Sequence, residues 1–391
     1  MPKLKRSTLA AQALGWRDSI TGSLVPPLVA SAPYERAADG SYTAGRSYTR
    51  DQNPTYDQAE ALLAELEGGA GAMLFSSGMA AATTVFEALE SGSHVVAQRN
   101  MYWTIRRWLE ELAADDRISL DLVPNGDLTC LKSVIPPGET KIVWIETQAN
   151  PMCDITDIAA SAEIAHAGGA RVVVDSTLAT PVLSQPLEWG ADMVMHSATK
   201  QLNGHSDVLA GALVTKVEDN FWTRIGHDRV SRGAVMGPFE AWLLLRGMRT
   251  LFLRVPAAAR SALRGAELLT QHSSVVEVMY PGLTGHPGHA IAAAQMQDGY
   301  GTILSFRPIG GEVAAKRVVG ALKVFRNATS LGGVESLVEH RAPVEGPDTN
   351  VPNDLIRLSF GIEDETDLIL DLEQALAVSY THLTLPTICS V

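Results

Sequence analysis

Three short runs of apolar, β-branched residues, KIVWIET (141–147), RVVVDST (171–177) and DMVMHSA (192–198), narrow what this chain can fold into. Each is bounded by turn residues and too short for a helix, so each reads as a strand. Between the first two lies DIAASAEIAHAGG (157–169), a helix with Asp157 as N-cap and Gly168-Gly169 as its stop. Strand, helix, strand at this spacing is a βαβ unit, and near-continuous apolar strands imply a parallel sheet covered on both faces. QAEALLAELEGG (58–69) predicts an amphipathic helix, and 239–269 predicts one long helical region. TILSFRP (302–308) followed by a helix over 312–322 predicts a second, smaller α/β domain. A single core stops growing at about 250–300 residues, so 391 residues call for more than one. The expected division is a turn-rich arm over 1–55, a large domain over 56–250 and a C-terminal domain over 251–377.

Composition removes several function classes. With 31 Lys and Arg against 44 Asp and Glu, the net charge is −13, which argues against nucleic acid, whose binding runs on clustered cations. Apolar residues make up 46%, yet no apolar run reaches the length of a membrane span. The first residues, MPKLKRSTLAAQALGW, lack the apolar core and cleavage site of a signal peptide. Cys130, Cys153 and Cys389 are too scattered for a disulfide framework or a metal cluster. A soluble, cytoplasmic enzyme acting on a small molecule is the expectation. VSYTHLTLPTICSV (378–391) departs from the helical pattern of DETDLILDLEQALA before it and reads as a non-native, adapter-derived tail.

Ligands of open α/β sheets sit at the carboxyl ends of the strands. The third run leads there into Ser197-Ala198-Thr199-Lys200. A lysine in that place can be a Schiff-base nucleophile, and the hydroxyls of Ser197 and Thr199 can hold a phosphate. It can equally be a surface lysine in a loop. Asp175, one βαβ step upstream at a corresponding strand end, can pair with a pyridinium nitrogen or simply cap the following turn. FSSGMAA (75–81) brings a strand end into a helix, where Gly78 permits close approach of an anion to backbone N–H groups. No G-x-G-x-x-G follows a strand, so a nucleotide-binding dehydrogenase is disfavoured. A cofactor-free Schiff-base aldolase would have no use for the phosphate-binding set.

YTRDQNPT (48–55), FSSGMAA, ETQANP (146–151), VVVDSTLATP (172–181), SATKQLNGHSDV (197–208), SLGGVESL (330–337) and IRLSFGIED (356–364) together resemble the Cys/Met-metabolism family of pyridoxal-phosphate enzymes. The resemblance runs in order from about Thr8 to Ala377. It implies the fold type I of these transferases, similar to aspartate aminotransferase: a large, mostly parallel-sheet domain and a smaller C-terminal α/β domain. By the same resemblance the cofactor is pyridoxal 5'-phosphate, Lys200 its Schiff-base lysine, Asp175 the partner of its ring nitrogen and Asn150 that of its ring hydroxyl. Ser197, Thr199 and the backbone of Gly78 and Met79 correspond to phosphate ligands. Tyr48 and Arg50 correspond to residues that reach the phosphate of a neighbouring subunit, which implies a homodimer or homotetramer with shared sites. Tyr102 matches a ring-stacking, proton-shuttling tyrosine; Arg357, with Ser330 close by, matches the arginine for the substrate α-carboxylate. The implied chemistry is γ-replacement or γ-elimination on sulfur amino acids or O-acylhomoserine, of the cystathionine γ-synthase or γ-lyase kind. O-acylhomoserine sulfhydrylase and methionine γ-lyase are the alternatives, and a non-catalytic member the least favoured. Two departures concern the substrate. Trp103 follows Tyr102 where the family is usually small, with Arg107, or else Arg106, at the spacing of an arginine for a distal acid. Thr329 stands where cystathionine-handling members often carry an acidic residue.

Overall fold

The computed structural model describes residues 4–345 and 350–381, with side chains described to residue 377. Among the described residues twelve strands form two sheets. The chain divides into two compact units, Met1–Thr147 with Thr156–Leu253, and Gln148–Ile155 with Arg254–Val391.

The first unit is built on a seven-stranded sheet. Its strands are β1 (Gly71–Phe75), β2 (Ser93–Gln98), β3 (Ile118–Val123), β4 (Thr140–Glu146), β5 (Arg171–Asp175), β6 (Met193–His196) and β7 (Gly211–Thr215), in spatial order β1-β7-β6-β5-β4-β2-β3. The five strands from β3 to β6 in that order run parallel, while β7 is antiparallel to both β6 and β1. The expected βαβ unit is present: helix Ile158–Ala167 joins β4 to β5, and Asp157 accepts a hydrogen bond from the Ala160 N–H at 2.9 Å. Trp144 on β4, Phe75 on β1 and Leu213 on β7 are fully buried in one apolar cluster with Phe86 and Leu109 of the covering helices. Truncating a buried aromatic of this kind costs about 3–5 kcal/mol, so this cluster fixes the sheet and hence its strand ends.

The helix expected over 58–69 is present but begins four residues earlier, as Pro54–Glu67, because Asn53 caps the Thr55 N–H and Pro54 occupies the first turn. The single helix expected over 239–269 is two, Pro238–Met248 and Leu251–Gln271. The break falls at Arg249, whose Nε donates to the carbonyl of Ala11, and at Thr250, whose N–H turns back to Gly247. The apolar pattern runs through both helices, so periodicity could not separate them. The described part of the N-terminal arm holds a short helix, Arg6–Ala11, a 3-10 turn of helix at Ala13–Gly15, and isolated bridges, Pro33 with Tyr48 and Arg36 with Tyr42. It is tied down by the Trp242 indole N–H to the Pro26 carbonyl and by Asn53 to the Val29 carbonyl. Ile20, Leu24, Val25 and Leu28 on this arm are exposed.

The second unit is built on a five-stranded sheet of β8 (Val275–Met279), β9 (Ile303–Pro308), β10 (Arg326–Asn327), β11 (Leu337–His340) and β12 (Ile356–Ser359), in order β10-β11-β12-β9-β8. All neighbours are antiparallel except β10 and β11. Leu304, Phe306, Val338, Ile356, Leu358 and Phe360 pack against the apolar faces of helices Leu251–Gln271, Gly311–Ala321 and Glu365–Thr381. The last helix runs to Thr381, four residues into the stretch read as a tail; residues 382–391 lie outside the described residues. No helix among the described residues is long and apolar enough to cross a membrane.

Candidate active site

Because β4, β5 and β6 are parallel, their carboxyl ends share one edge, and the register sets Glu146 beside Asp175 and Asp175 beside Met195. A chain of hydrogen bonds links the predicted residues there. Asp175 Oδ1 accepts from the Thr177 N–H at 2.9 Å, and Thr177 Oγ1 accepts from the Ser197 N–H at 2.8 Å. The Ser197 carbonyl in turn accepts from the Lys200 N–H at 3.0 Å. Asp175 therefore sits two backbone links from the turn that carries Lys200. Burial pushes its carboxyl above the usual range, offset in part by Thr177 and by the field of His196. A desolvated carboxylate of this kind favours a cationic partner.

The phosphate-binding expectation has its own geometry. Helix Gly78–Glu87 starts at the same edge, with Ser77 Oγ accepting from the Ala80 N–H at 3.0 Å and the Ser77 carbonyl from the Ala81 N–H. That leaves the N–H groups of Gly78 and Met79 at the positive end of the helix for an anion. A Cβ at Gly78 would lie 2.8 Å from the Cβ and Oγ of Ser197, and one at Gly211 would lie 2.0 Å from the Ser77 carbonyl. Glycine at both places lets the helix start close on the Ser197 turn. Thr199 is differently engaged: its hydroxyl donates to the Ala210 carbonyl at 3.1 Å and accepts from the Ala210 N–H at 2.8 Å. With its one proton committed, Thr199 clips the lysine turn to β7 and could reach a phosphate only by releasing that carbonyl.

Tyr102 is the N-cap of helix Trp103–Ala114, and its N–H donates to Glu146 Oε1 at 2.6 Å. Glu146 thus holds Tyr102 at the strand edge that carries Asp175, with the residue 39% exposed. Arg107 lies on the solvent side of that helix, 70% exposed and paired with Glu111 one turn on. Arg106 is more enclosed and donates to the Arg99 carbonyl. Tyr48 and Arg50 pair with each other, the guanidinium 5.4 Å from the centre of a half-exposed ring.

In the second unit Arg357, on β12, is almost fully buried. Its NH1 donates to Asn150 Oδ1 at 3.1 Å and its NH2 to the Ser330 carbonyl at 2.7 Å. Ser330 therefore meets the arginine through its backbone, which is held at φ 104°, a strained conformation for a non-glycine residue. Burial pulls the Arg357 guanidinium down to about 10, with Arg341 adding to the effect. Three further residues carry no motif that marks them in the sequence. Glu339 ion-pairs with both Arg357 and Arg341. The third is His196, whose Nε2 lies 2.6 Å from Glu67 Oε1 with both side chains fully buried behind the Lys200 turn. Their one signal is a titratable residue in or beside an apolar strand run.

The chain matches the family described as Cys/Met metabolism PLP-dependent enzyme over residues 7–377. It is 44% identical over 369 residues to a cystathionine γ-synthase of Mycobacterium tuberculosis, covering 93% of this chain and 94% of that one. It is 38% identical over 383 residues to a cystathionine γ-lyase of Bacillus subtilis, covering 95% and 99%. The structure superposes on that of a cystathionine γ-synthase from Xanthomonas oryzae pv. oryzae in complex with cystathionine with a TM-score of 0.92, at 37% identity and covering 97% and 99%. The family match spans nearly the whole chain and the relatives are 37–44% identical over almost their full length: this chain belongs to the Cys/Met metabolism family of pyridoxal-phosphate-dependent enzymes.

Proposed function

We propose that the protein replaces or eliminates the γ-substituent of a small amino acid, in the manner of a cystathionine γ-synthase or γ-lyase. The observation that carries this reading is the bonded path from Asp175 through Thr177 and Ser197 to Lys200, closed on the other side by Gly78. The groups present fit pyridoxal 5'-phosphate. Two helix-start N–H groups and the Ser197 hydroxyl suit a phosphate, a buried carboxylate with raised proton affinity suits a pyridine nitrogen, and Lys200 is carried on the same turn as Ser197. Bound there, the cofactor supplies an electron sink for charge developing at the substrate Cα. Lys200 Nζ then moves protons at Cα and Cβ, Asp175 holds the ring nitrogen protonated, and the Tyr102 hydroxyl exchanges a proton with the leaving group. Asn150 holds the ring hydroxyl, while Arg357 and Ser330 form the carboxylate-binding group. Arg107, or else the more enclosed Arg106, is the candidate for a distal acid.

The names of the relatives support substrates of the cystathionine and O-acylhomoserine type. Tyr48 and Arg50 stand exposed on an arm on which Ile20, Leu24 and Val25 are also uncovered, which supports their acting on the phosphate of a second copy in a dimer or tetramer. A cytoplasmic location and the reading of 378–391 as foreign are parts of the same proposal. The test is a product assay with O-succinylhomoserine, O-acetylhomoserine, cystathionine and methionine, each with and without cysteine. Cystathionine formation, or release of a 2-oxo acid, is the expected result, falling by on the order of 10³-fold or more in Lys200→Ala. Purified protein that stays colourless after incubation with cofactor and turns over none of the four would overturn it.

A further inference from the structure

Arg357 does not stand alone. Glu339 Oε2 accepts from Arg357 NH2 at 2.9 Å and from Arg341 NH1 at 2.5 Å, and Glu339 Oε1 accepts from the Thr329 hydroxyl at 2.8 Å. Arg341 NH2 reaches on to Glu345 Oε1. All four charged side chains are at most 7% exposed. The Nε of Arg357 is buried without a hydrogen-bond partner, so the guanidinium still has a donor to offer.

Charge counting gives the consequence. Two arginines and two glutamates sum to zero. Without Arg341, Glu339 would belong to Arg357 alone and Glu345 would lose its partner, leaving three buried groups with a net charge of −1. A carboxylate arriving at Arg357 would then meet a repulsive field that little solvent screens. We propose that Arg341, acting through the shared carboxylate of Glu339, is a positioning residue that keeps Arg357 available to the substrate carboxylate. The inference rests on the reading of Arg357 given above. It assigns Thr329 a role as well: its hydroxyl orients Glu339 Oε1, leaving Oε2 to bridge the two guanidiniums.

The test compares three variants of the cofactor-loaded enzyme, using whichever amino acid the product assay identifies as substrate. Arg341→Gln removes the charge and should raise KM on the order of tenfold or more, with kcat within about threefold of wild type. Arg341→Lys keeps the charge, and Arg341→Gln/Glu345→Gln returns the cluster to zero; both should bring KM back to within a few-fold of wild type. A wild-type KM in Arg341→Gln, or equal damage in all three variants, overturns the proposal, the second outcome marking Arg341 as merely structural. Should Arg341→Gln fail to fold, a wild-type KM in the folded double variant still supports the charge balance, and a raised one refutes it. Arg357→Met separates the two readings. If it keeps the wild-type KM, the assignment of Arg357 itself falls; if it loses binding while Arg341→Gln does not, only the role of Arg341 falls.

Discussion

Around Asp175 and Lys200 the polar groups are joined by backbone amides and short hydroxyls within a few residues of two strand ends. Around Arg357 they are joined by the long charged side chains of residues 339, 341, 345 and 357, together with the Asn150 amide and the Ser330 carbonyl. The first region is rigid because the sheet holds its backbone, and it needs little charge. The second depends on charge balance among buried ions, where loss of one partner leaves another uncompensated. A site that must grip one cofactor can be cut into the scaffold. A site that must receive and release a carboxylate keeps its cation poised by neighbours.

That contrast makes ordered predictions. Arg357→Met removes charge-assisted hydrogen bonds worth about 1.5–3 kcal/mol each, so kcat/KM should fall on the order of 10²- to 10³-fold. Cofactor retention, read from the visible spectrum, should stay near wild type; joint loss of both would erase the distinction between the regions. Gly78→Ala should do the reverse. Its Cβ would meet Ser197 at 2.8 Å, and equilibrium dialysis should show cofactor affinity reduced about tenfold, with KM changed far less once the cofactor is saturating. Unchanged affinity would mean the helix start is not a phosphate cradle.

The smallest effect concerns Asp175 in the cofactor-free chain. Its folded-state proton affinity is raised by burial, so the native state keeps the proton to higher pH than the unfolded chain does. Ionisation therefore costs stability increasingly as pH rises above the unfolded value of about 4. Asp175→Asn should raise the melting temperature of the cofactor-free protein by a few °C at pH 8, and the gain should shrink as pH falls toward 4. A lower melting temperature in Asp175→Asn at pH 8 would show instead that the carboxylate meets a cationic partner in the folded chain, and a gain independent of pH would show that folding leaves its proton affinity unchanged.

Most of the first region is legible in the sequence, and for a local reason. Asp175, Ser197 and Lys200 follow apolar runs whose length and flanks mark strand ends, and Gly78 follows Ser-Ser at the start of a helix. In the second, Arg357 and Ser330 are recognisable only by resemblance, while Glu339 and Arg341 are not recognisable at all. A charged residue in a strand run gives no sign of whether it faces water or another charge. The helix break at Arg249 is hidden for a similar reason, since the bond to Ala11 that marks it spans the chain from the arm.

The parallel sheet, its strand ends and the lysine and aspartate placed on them follow from the order of residues alone, because apolar periodicity and turn residues act over a few positions. It took the folded chain to decide that Ser330 serves through its carbonyl, that Thr199 is tied to Ala210, that Arg107 faces solvent, and that Glu339 is shared by two arginines. Those outcomes depend on which distant groups meet in a low-dielectric interior, where a hydrogen bond or a charge must find its partner from whatever the fold brings near.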